Sequence, residues 1–256
     1  QGNAPALELL LLQMIHLPKQ QCYHSSCPLV LRYAYMLPCP NPALLYPPHQ
    51  PSWPSYLSKD RSMWDQISKK DILLFYPYHA MQPFLDLLKQ AAADKNVTSI
   101  KITIYRLAEN SAIAKALCTA AENGKDVTVL MELRARFDEK NNINWAESLE
   151  DAGCKVIYGL DGFKCHSKIC LITKRQRNGF SYVTQIGTGN YNEKTSSLYT
   201  DFSLMTADKA IAEDALSFFE NMLINNTRGN YEKLLVAPVT LKDTLLRLID
   251  DEIKQG

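Results

Sequence analysis

From Asp71 onward, hydrophobic and polar positions form blocks that predict strands and helices in turn. Short apolar or β-branched runs predict strands over 72–76, 97–105, 127–133 and 155–159, and residues 83–94, 111–121 and 144–152 show helical periodicity. Ser111 is a typical N-cap, and Gly124 is a typical C-terminal stop for the second helix. Strands that alternate with helices predict crossover connections and a mainly parallel sheet.

After residue 160 the alternation changes. The segments 168–173, 182–186 and 202–205 have strand patterns without helices between them, which predicts that part of the sheet is antiparallel. Helical patterns over 210–224 and 241–254 complete the chain. The predicted fold class is therefore α/β, with a mixed sheet flanked by helices on both faces.

The start of the chain is rich in proline and lacks the alternation of strand and helix patterns. Seven prolines lie between residues 37 and 54, which predicts a linker because proline can continue neither a helix nor a central strand. We expect residues 1–58 to be the end of a preceding domain plus this linker, and residues 59–256 to be the main domain. The chain is then expected to begin inside a longer protein. The apolar run over 6–15 is interrupted by Glu8 and Gln13 and is too short to span a membrane.

Composition narrows the possible partners. The net charge of +1 gives no overall basic field, so a nucleic-acid partner is not expected and anions must be bound by local clusters. The seven cysteines are an odd number, which predicts reduced thiols and a cytoplasmic location. Cys22, His24 and Cys27 lack a second pair of ligands, so the sequence favours unconnected loop residues over a zinc site.

The segment Lys164-Cys-His-Ser-Lys168 carries the clearest chemical signal. On a strand, His166 and Lys168 would point to the same face, because strand side chains alternate. One group can then attack a phosphorus atom while the other holds a phosphate oxygen. Gly187-Thr-Gly-Asn190 follows at the end of the next predicted strand, where backbone and amide donors can approach the same anion.

Arginines follow two of the predicted strands. Arg106 ends one strand, and Arg134 and Arg136 end the next. Because ligands of open α/β sheets bind outside the carboxyl ends of strands, we expect these groups and His166 to meet in one crevice that suits a polyanion.

Two further features allow alternatives. Asp138 and Glu139 follow a buried strand, and they are equally compatible with capping the next helix and with holding a magnesium ion. Tyr199 lies just before the last predicted strand, where its ring can stack on an adenine or simply pack.

Five segments carry a family resemblance: Ile104-Tyr-Arg106, Ala135-Arg-Phe-Asp-Glu139, Lys164-x-His-x-Lys168, Gly187-Thr-Gly-Asn-Tyr-Asn192 and Leu198-Tyr-Thr-Asp201. They resemble the bacterial polyphosphate kinase family that works through a phosphohistidine. The resemblance covers most of residues 46–256 and is to the family's first C-terminal, phospholipase D-like domain. The chain ends where that family continues into a second such domain.

The resemblance implies a set of site residues. It makes His166 the phosphorylated residue and places Arg106 and Arg136 at the magnesium–phosphate site, where they would hold the phosphates that carry Mg²⁺. Lys164, Lys168 and Asn190 are expected to bind phosphate, and Tyr199 matches the family's nucleotide-contacting tyrosine.

The resemblance also implies the reaction and its partners. ATP, ADP and inorganic polyphosphate are the expected substrates, in a cytoplasmic enzyme that can associate peripherally with a membrane and forms a homo-oligomer when complete. Because the family's other domains are not in this chain, the chain by itself is expected to be inactive.

Two rival functions remain. A phospholipase D-like phosphodiesterase would follow the pattern His-x-Lys-x₄-Asp, in two copies, whereas this chain has one His-x-Lys and Thr173 at the Asp position. A non-catalytic polyanion-binding module would need the positive charges without a reactive histidine.

Overall fold

The computed structural model describes residues 5–27, 30–47, 49–135, 138–160 and 162–255. The chain divides into two compact units, Gln1–Pro48 and His49–Gly256. This division and the predicted domain boundary at residue 58 lie at different places, and the domain assignment stays a prediction. No helix in the described ranges combines the length and the apolar character needed to cross a membrane.

The first unit is built from short elements. Helix α1 spans Pro5–Met14, and 3₁₀ turns follow at Lys19–Gln21, Leu31–Met36 and Pro42–Leu44. The last of these turns lies in the proline-rich stretch, where Asn41 accepts a hydrogen bond from the Ala43 amide.

The second unit contains a sheet. Among the described residues it has seven strands: β1 (Ile72–Tyr76), β2 (Val97–Ile104), β3 (Asp126–Met131), β4 (Lys155–Tyr158), β5 (Ile169–Gln176), β6 (Gly179–Gly187) and β7 (Asp201–Thr206). Their order is β1-β7-β6-β5-β2-β3-β4. Each predicted strand is present, with ends that differ from prediction by a few residues.

The sheet is mixed, as predicted, but it is not mainly parallel. Strands β2, β3 and β4 are parallel neighbours, whereas the pairs β1–β7, β7–β6, β6–β5 and β5–β2 are antiparallel. The expectation of a mainly parallel sheet was wrong because β1, although a helix follows it, pairs with β7 instead of β2. Local alternation of strands and helices does not specify which strands become neighbours.

Helices cover both faces of the sheet. The helices of the second unit are α2 (Met63–Ile67), α3 (Gln82–Ala93), α4 (Ala112–Glu122), α5 (Glu139–Asp151), α6 (Glu193–Ser196), α7 (Lys209–Leu223) and α8 (Leu241–Gln255). On one face of the sheet, Val129 and Met131 pack with residues of α3 and α4. On the other face, Leu130 packs with Leu171 of β5 and with Phe219 of α7. This alternation along β3 confirms the predicted α/β class with helices on both faces.

Helix α4 begins and ends where the sequence predicts. The Ser111 hydroxyl accepts a hydrogen bond from the Ala114 amide at 3.2 Å, which is the N-cap interaction. Gly124 follows the helix with φ +78°, a left-handed conformation that glycine adopts without steric cost. These two residues account for the bounds of the helix, Ala112–Glu122.

A buried carboxylate attaches the segment after α7. Asp214 accepts hydrogen bonds from the backbone amides of Glu232, Lys233 and Leu234 at 2.6–2.9 Å. Burial by itself would raise the pKa of this carboxyl, but the three amide bonds together hold it below its usual value. The charged form therefore stabilises the folded chain.

We predict that Asp214→Asn lowers the free energy of unfolding at pH 7 by about 2 kcal/mol, because the amides lose a charged acceptor. A carboxyl with a depressed folded pKa stabilises above its unfolded pKa of about 3.9, and this contribution is lost as pH falls through the folded value. The difference between parent and variant, measured by urea denaturation, should therefore shrink below about pH 4. Glu213→Gln, on an exposed neighbour, is the control. A difference that does not change with pH contradicts the assignment.

Candidate active site

The predicted crevice residues follow strand ends that share one edge of the sheet. Cys170 near the start of β5 pairs with Ile102 near the end of β2, and Ile169 pairs with Ile186 near the end of β6. Antiparallel pairing thus places the start of β5 beside the ends of β2 and β6. The segments that carry Arg106, His166, Lys168 and Asn190 all leave the sheet at this edge.

Thr103 attaches the histidine segment to β2. Its fully buried hydroxyl donates to the Ser167 carbonyl at 2.8 Å and accepts from the Ile169 amide at 3.1 Å. A hydroxyl can act as donor and acceptor at once, so this one side chain holds the backbone on both sides of Lys168. Sequence analysis assigned Thr103 no role, because a threonine inside a β-branched strand has no distinguishing local signal.

The ring of Tyr105 lies at the centre of the site. The His166 ring packs edge-on against it, with centroids 4.6 Å apart and planes at 84°. Lys168 Nζ lies 5.4 Å and Arg106 Cζ lies 5.5 Å from the same ring centroid. The aromatic ring attracts the cations, so Tyr105 gathers three of the predicted residues in one place. It was quoted in the sequence motif but not assigned this role.

The His166–Lys168 segment precedes β5, which begins one residue later than the predicted strand over 168–173. Its side chains nevertheless alternate: His166 and Lys168 both face Tyr105, while the Cys165 Sγ contacts the Ser167 Oγ at 3.3 Å. The side chains of His166 and Lys168 therefore lie on the same side of this segment, as predicted, although the segment is not part of the strand.

The site is electrostatically positive, and this shifts its titration. Burial lowers the pKa of His166, and the charges of Lys168 and Arg106 lower it further. Burial also lowers the pKa of Lys168 to about 8, with Arg106 adding to this decrease and Asp201 opposing it. At neutral pH His166 is thus mainly neutral and Lys168 mainly charged. This is the combination that a nitrogen nucleophile next to an anion requires.

Arg106 is oriented by an acidic partner. Its Nε lies 2.9 Å from the Asp138 Oδ2, and both side chains are about one-third exposed. Asp138 occupies the N-cap position of α5 but makes no side-chain capping bond, so its contact with Arg106 replaces the expected cap. Arg136, the second predicted arginine, lies outside the described residues.

Buried polar residues hold the strand ends together. The Asn142 Nδ2 donates to the carbonyls of Tyr105 at 2.8 Å and Glu132 at 3.0 Å, so it joins the ends of β2 and β3. The buried Glu132 carboxylate accepts from the amides of Arg134 at 2.9 Å and Cys165 at 3.1 Å. Glu132 therefore fixes the backbone immediately before His166. Its only sequence signal was a charged residue at the end of an apolar strand.

Lys164 lies at the side of the site. Its Nζ donates to the Arg134 carbonyl at 3.1 Å, and the Arg134 guanidinium donates to the Phe163 carbonyl at 3.1 Å. These two bonds fasten the loop before His166 to the end of β3. Phosphate binding by Lys164 stays a prediction. The ammonium group has three N–H donors, so it can donate to a phosphate oxygen while it keeps the bond to this carbonyl.

The glycine-rich segment approaches the site from β6. Gly187 donates its amide to the Lys168 carbonyl at 2.9 Å, and the Thr188 hydroxyl donates to Asp201 Oδ1 at 2.8 Å. A Cβ on Gly189 would lie 2.5 Å from the Asp201 carboxylate, so this position requires glycine. The Asn190 Oδ1 is buried without a hydrogen-bond partner.

Tyr199 is 63% exposed and lies between α6 and β7, shortly before Asp201. Its ring makes no described aromatic contact, so the structure leaves it accessible to a ligand. Thr173, at the position of the phosphodiesterase aspartate, lies within β5 and pairs with Ser99 and Tyr182.

A cavity of about 560 Å³ is lined by the histidine segment, including Lys164, His166 and Lys168. Residues 163–169 form one wall, and Phe218 and Met222 of α7 and residues 234–238 form the others. These other walls are mainly apolar, in contrast to the charged groups around Tyr105.

The chain is an α/β protein in which a lysine and an arginine surround a histidine beside the strand ends. Residues 62–228 match the family model for polyphosphate kinase C-terminal domain 1. This is more than half of the chain, and the chain belongs to the polyphosphate kinase family.

Similar proteins agree with this assignment. A Staphylococcus epidermidis protein named polyphosphate kinase is 46% identical over 211 residues, which are 82% of this chain and 29% of that protein. A second, from Exiguobacterium sibiricum, is 43% identical and matches 99% of this chain and 36% of its own length. The crystal structure of polyphosphate kinase from Porphyromonas gingivalis superposes with a TM-score of 0.81 at 31% identity, over 98% of this chain and 39% of that one. The chain thus spans about a third of the length of these relatives.

We predict that Thr103→Val lowers the free energy of unfolding by about 1–3 kcal/mol, because the Ser167 carbonyl and the Ile169 amide lose their buried partner. The Ile169 amide should also exchange its hydrogen faster. Thr103→Ser keeps the hydroxyl and removes one methyl group, at a cost of about 1 kcal/mol, and should keep the amide protected. Equal effects of valine and serine on exchange would show that the hydroxyl does not hold the segment.

Proposed function

We propose that this chain forms the His166-bearing part of a polyphosphate kinase that transfers the terminal phosphate of ATP to inorganic polyphosphate, reversibly, through a phosphohistidine. The observation that carries the proposal is the cluster around Tyr105, where a histidine with a lowered pKa lies beside Lys168 and Arg106.

The first step forms a bond between a neutral His166 ring nitrogen and the γ-phosphorus of ATP. The bond from that phosphorus to the bridging oxygen breaks, and ADP leaves with the electron pair. In the second step a terminal oxygen of polyphosphate attacks the same phosphorus, and the phosphorus–nitrogen bond breaks to restore neutral His166. Both steps are reversible, so an excess of ADP and polyphosphate drives the transfer in the direction of ATP.

The cations around His166 supply electrostatic stabilisation. Lys168 and Arg106 can hold the phosphoryl oxygens while their charge increases in the transition state. The Oδ1 atom of Asn190 is buried without a hydrogen-bond partner, and the NH₂ group of the same side chain can donate to the same anion. Lys164 is proposed as a further phosphate ligand because of its place beside His166 in the chain. By resemblance, Arg136 is proposed as another and Tyr199 as the nucleotide contact.

Magnesium is proposed as the cofactor. Mg²⁺ is usually held by one or two carboxylates together with substrate phosphates and waters. Asp138 contacts Arg106 and is the acidic group that fits this role, with Glu139 next to it. A guanidinium cannot ligate a cation, so Arg106 and Arg136 would act through the phosphates. The ion would neutralise phosphate charge when bound.

The reaction is proposed to take place in the cytoplasm and to need further domains. ATP as donor implies the cytoplasm, and the relatives' greater length implies that further domains contribute to turnover and to any homo-oligomer. Experiments on activity are therefore designed for the complete native protein.

We predict that the complete protein becomes labelled at His166 by ATP carrying a labelled γ-phosphate. The label should survive alkali and be lost in mild acid, because protonation of the imidazole makes it a good leaving group and the phosphorus–nitrogen bond is then hydrolysed by water. His166→Ala should abolish label and turnover, whereas His49→Ala, at an exposed histidine of the same unit, should retain both. Full labelling of His166→Ala contradicts the assignment of the nucleophile. Phosphodiester hydrolysis, or polyphosphate binding without labelling, would instead favour one of the two rival functions.

We also predict a bell-shaped dependence of kcat/KM on pH, which reports the free enzyme. Activity should rise as His166 loses its proton, at a pKa below the usual value, and fall as Lys168 loses its proton near pH 8. Lys168→Arg should move the basic limb upward, because a guanidinium stays charged. Lys168→Ala should retain binding and slow transfer about a hundredfold.

Lys155→Arg, at an exposed lysine of β4, is the matched control and should leave the profile unchanged. A basic limb that remains near pH 8 in Lys168→Arg would assign that limb to another group.

A further inference from the structure

Three metal-ligating side chains meet in the first unit. Glu8 lies on α1, and Cys22 and His24 lie in the extended segment after the 3₁₀ turn at Lys19–Gln21. The Glu8 Oε1 is 3.8 Å from the Cys22 Sγ and 3.4 Å from the His24 Nε2. All three ligand atoms lie within 4.8 Å of one another.

A chain reversal after α1 creates this meeting. The Leu17 amide donates to the Leu12 carbonyl at 2.9 Å, and His16 has a left-handed backbone with φ 52°. The short 3₁₀ turn that follows returns the chain along the helix, so Cys22 and His24 arrive beside Glu8, one to two turns before the end of α1. Local spacing does not reveal this contact, since Glu8 lies fourteen positions before Cys22.

The separations match those of ligands around one tetrahedral zinc ion. Zinc bonds of about 2.0–2.2 Å to nitrogen and oxygen and about 2.3 Å to sulfur place such ligand atoms about 3.4–3.6 Å apart. The two measured distances, 3.4 Å and 3.8 Å, are close to this without any rearrangement of the backbone. Thiolate, imidazole and carboxylate are also the three ligand types that zinc accepts.

Charge and exposure indicate the kind of site. A thiolate and a carboxylate together neutralise Zn²⁺, so binding removes the cost of bringing two anions together. The His24 side chain is 74% exposed, while that of Glu8 is 22% exposed, which leaves an open side toward solvent. The fourth ligand position can therefore be taken by water.

We propose that Glu8, Cys22 and His24 form a zinc-binding site with water as the fourth ligand. The sequence suggested Cys27 as the partner of Cys22 and His24, and on that basis zinc was not favoured. The structure supplies Glu8 instead, and it places the Cys27 amide on the Ser25 hydroxyl at 3.1 Å. The site is independent of the phosphate chemistry of the second unit.

The test uses the reduced, metal-free chain titrated with Co²⁺, which reports thiolate ligation by an ultraviolet charge-transfer band and tetrahedral geometry by visible bands. One equivalent should bind, and Zn²⁺ should displace it. Cys22→Ser should remove the charge-transfer band, and Glu8→Gln and His24→Gln should each weaken Zn²⁺ binding at least tenfold. Cys27→Ser is the matched control and should bind like the parent.

Other results overturn the proposal. A cobalt band of equal strength in Cys22→Ser, or one lost equally in Cys27→Ser, assigns the metal to other thiols. Absence of a band in a parent chain with native circular dichroism means that the cluster is only a histidine–carboxylate pair with a thiol bonded to it. Circular dichroism of each variant separates loss of ligation from loss of folding.

Discussion

The antiparallel pairing of β2 with β5 is the contact on which the site depends. It places the residues before β5 beside the end of β2, where the buried Thr103 hydroxyl bonds to both sides of Lys168. A lone buried carbonyl or amide is costly, so the hydroxyl specifies the path of this segment as well as stabilising it. The position of His166 against Tyr105 follows from that path.

Three groups that can carry positive charge lie close together in the site, and two acidic residues reduce the repulsion between them. His166, Lys168 and Arg106 share the Tyr105 ring, and their mutual repulsion is offset by Asp138 on one side and Asp201 on the other. The remaining excess of positive charge, together with burial, keeps His166 neutral. The same positive field that would attract an anion therefore favours the neutral form of His166.

A second layer of buried polar groups supports this arrangement. Asn142 and Glu132 connect β2, β3 and the Cys165 backbone through four hydrogen bonds of 2.8–3.1 Å. Asn142 and Glu132 can affect the site through these bonds without contacting a ligand themselves. Groups that are already held in position pay a smaller entropic cost on binding an anion than mobile side chains do. The hydrogen bonds to Asn142 and Glu132 therefore favour anion binding by holding the backbone around the site in place.

Local patterns in the sequence were sufficient for the elements and for the chemistry of single residues. The bounds of β1, the Ser111 cap of α4 and the pairing of His166 with Lys168 were all predicted, because each depends on neighbours in the chain. The family followed from short motifs of the same kind. Only the tertiary structure decided that β1 pairs with β7, that Thr103, Tyr105 and Glu132 build the site, and that Glu8 meets Cys22 and His24. Periodicity reports which face of an element is buried, whereas the partner across that face is set by contacts between distant segments.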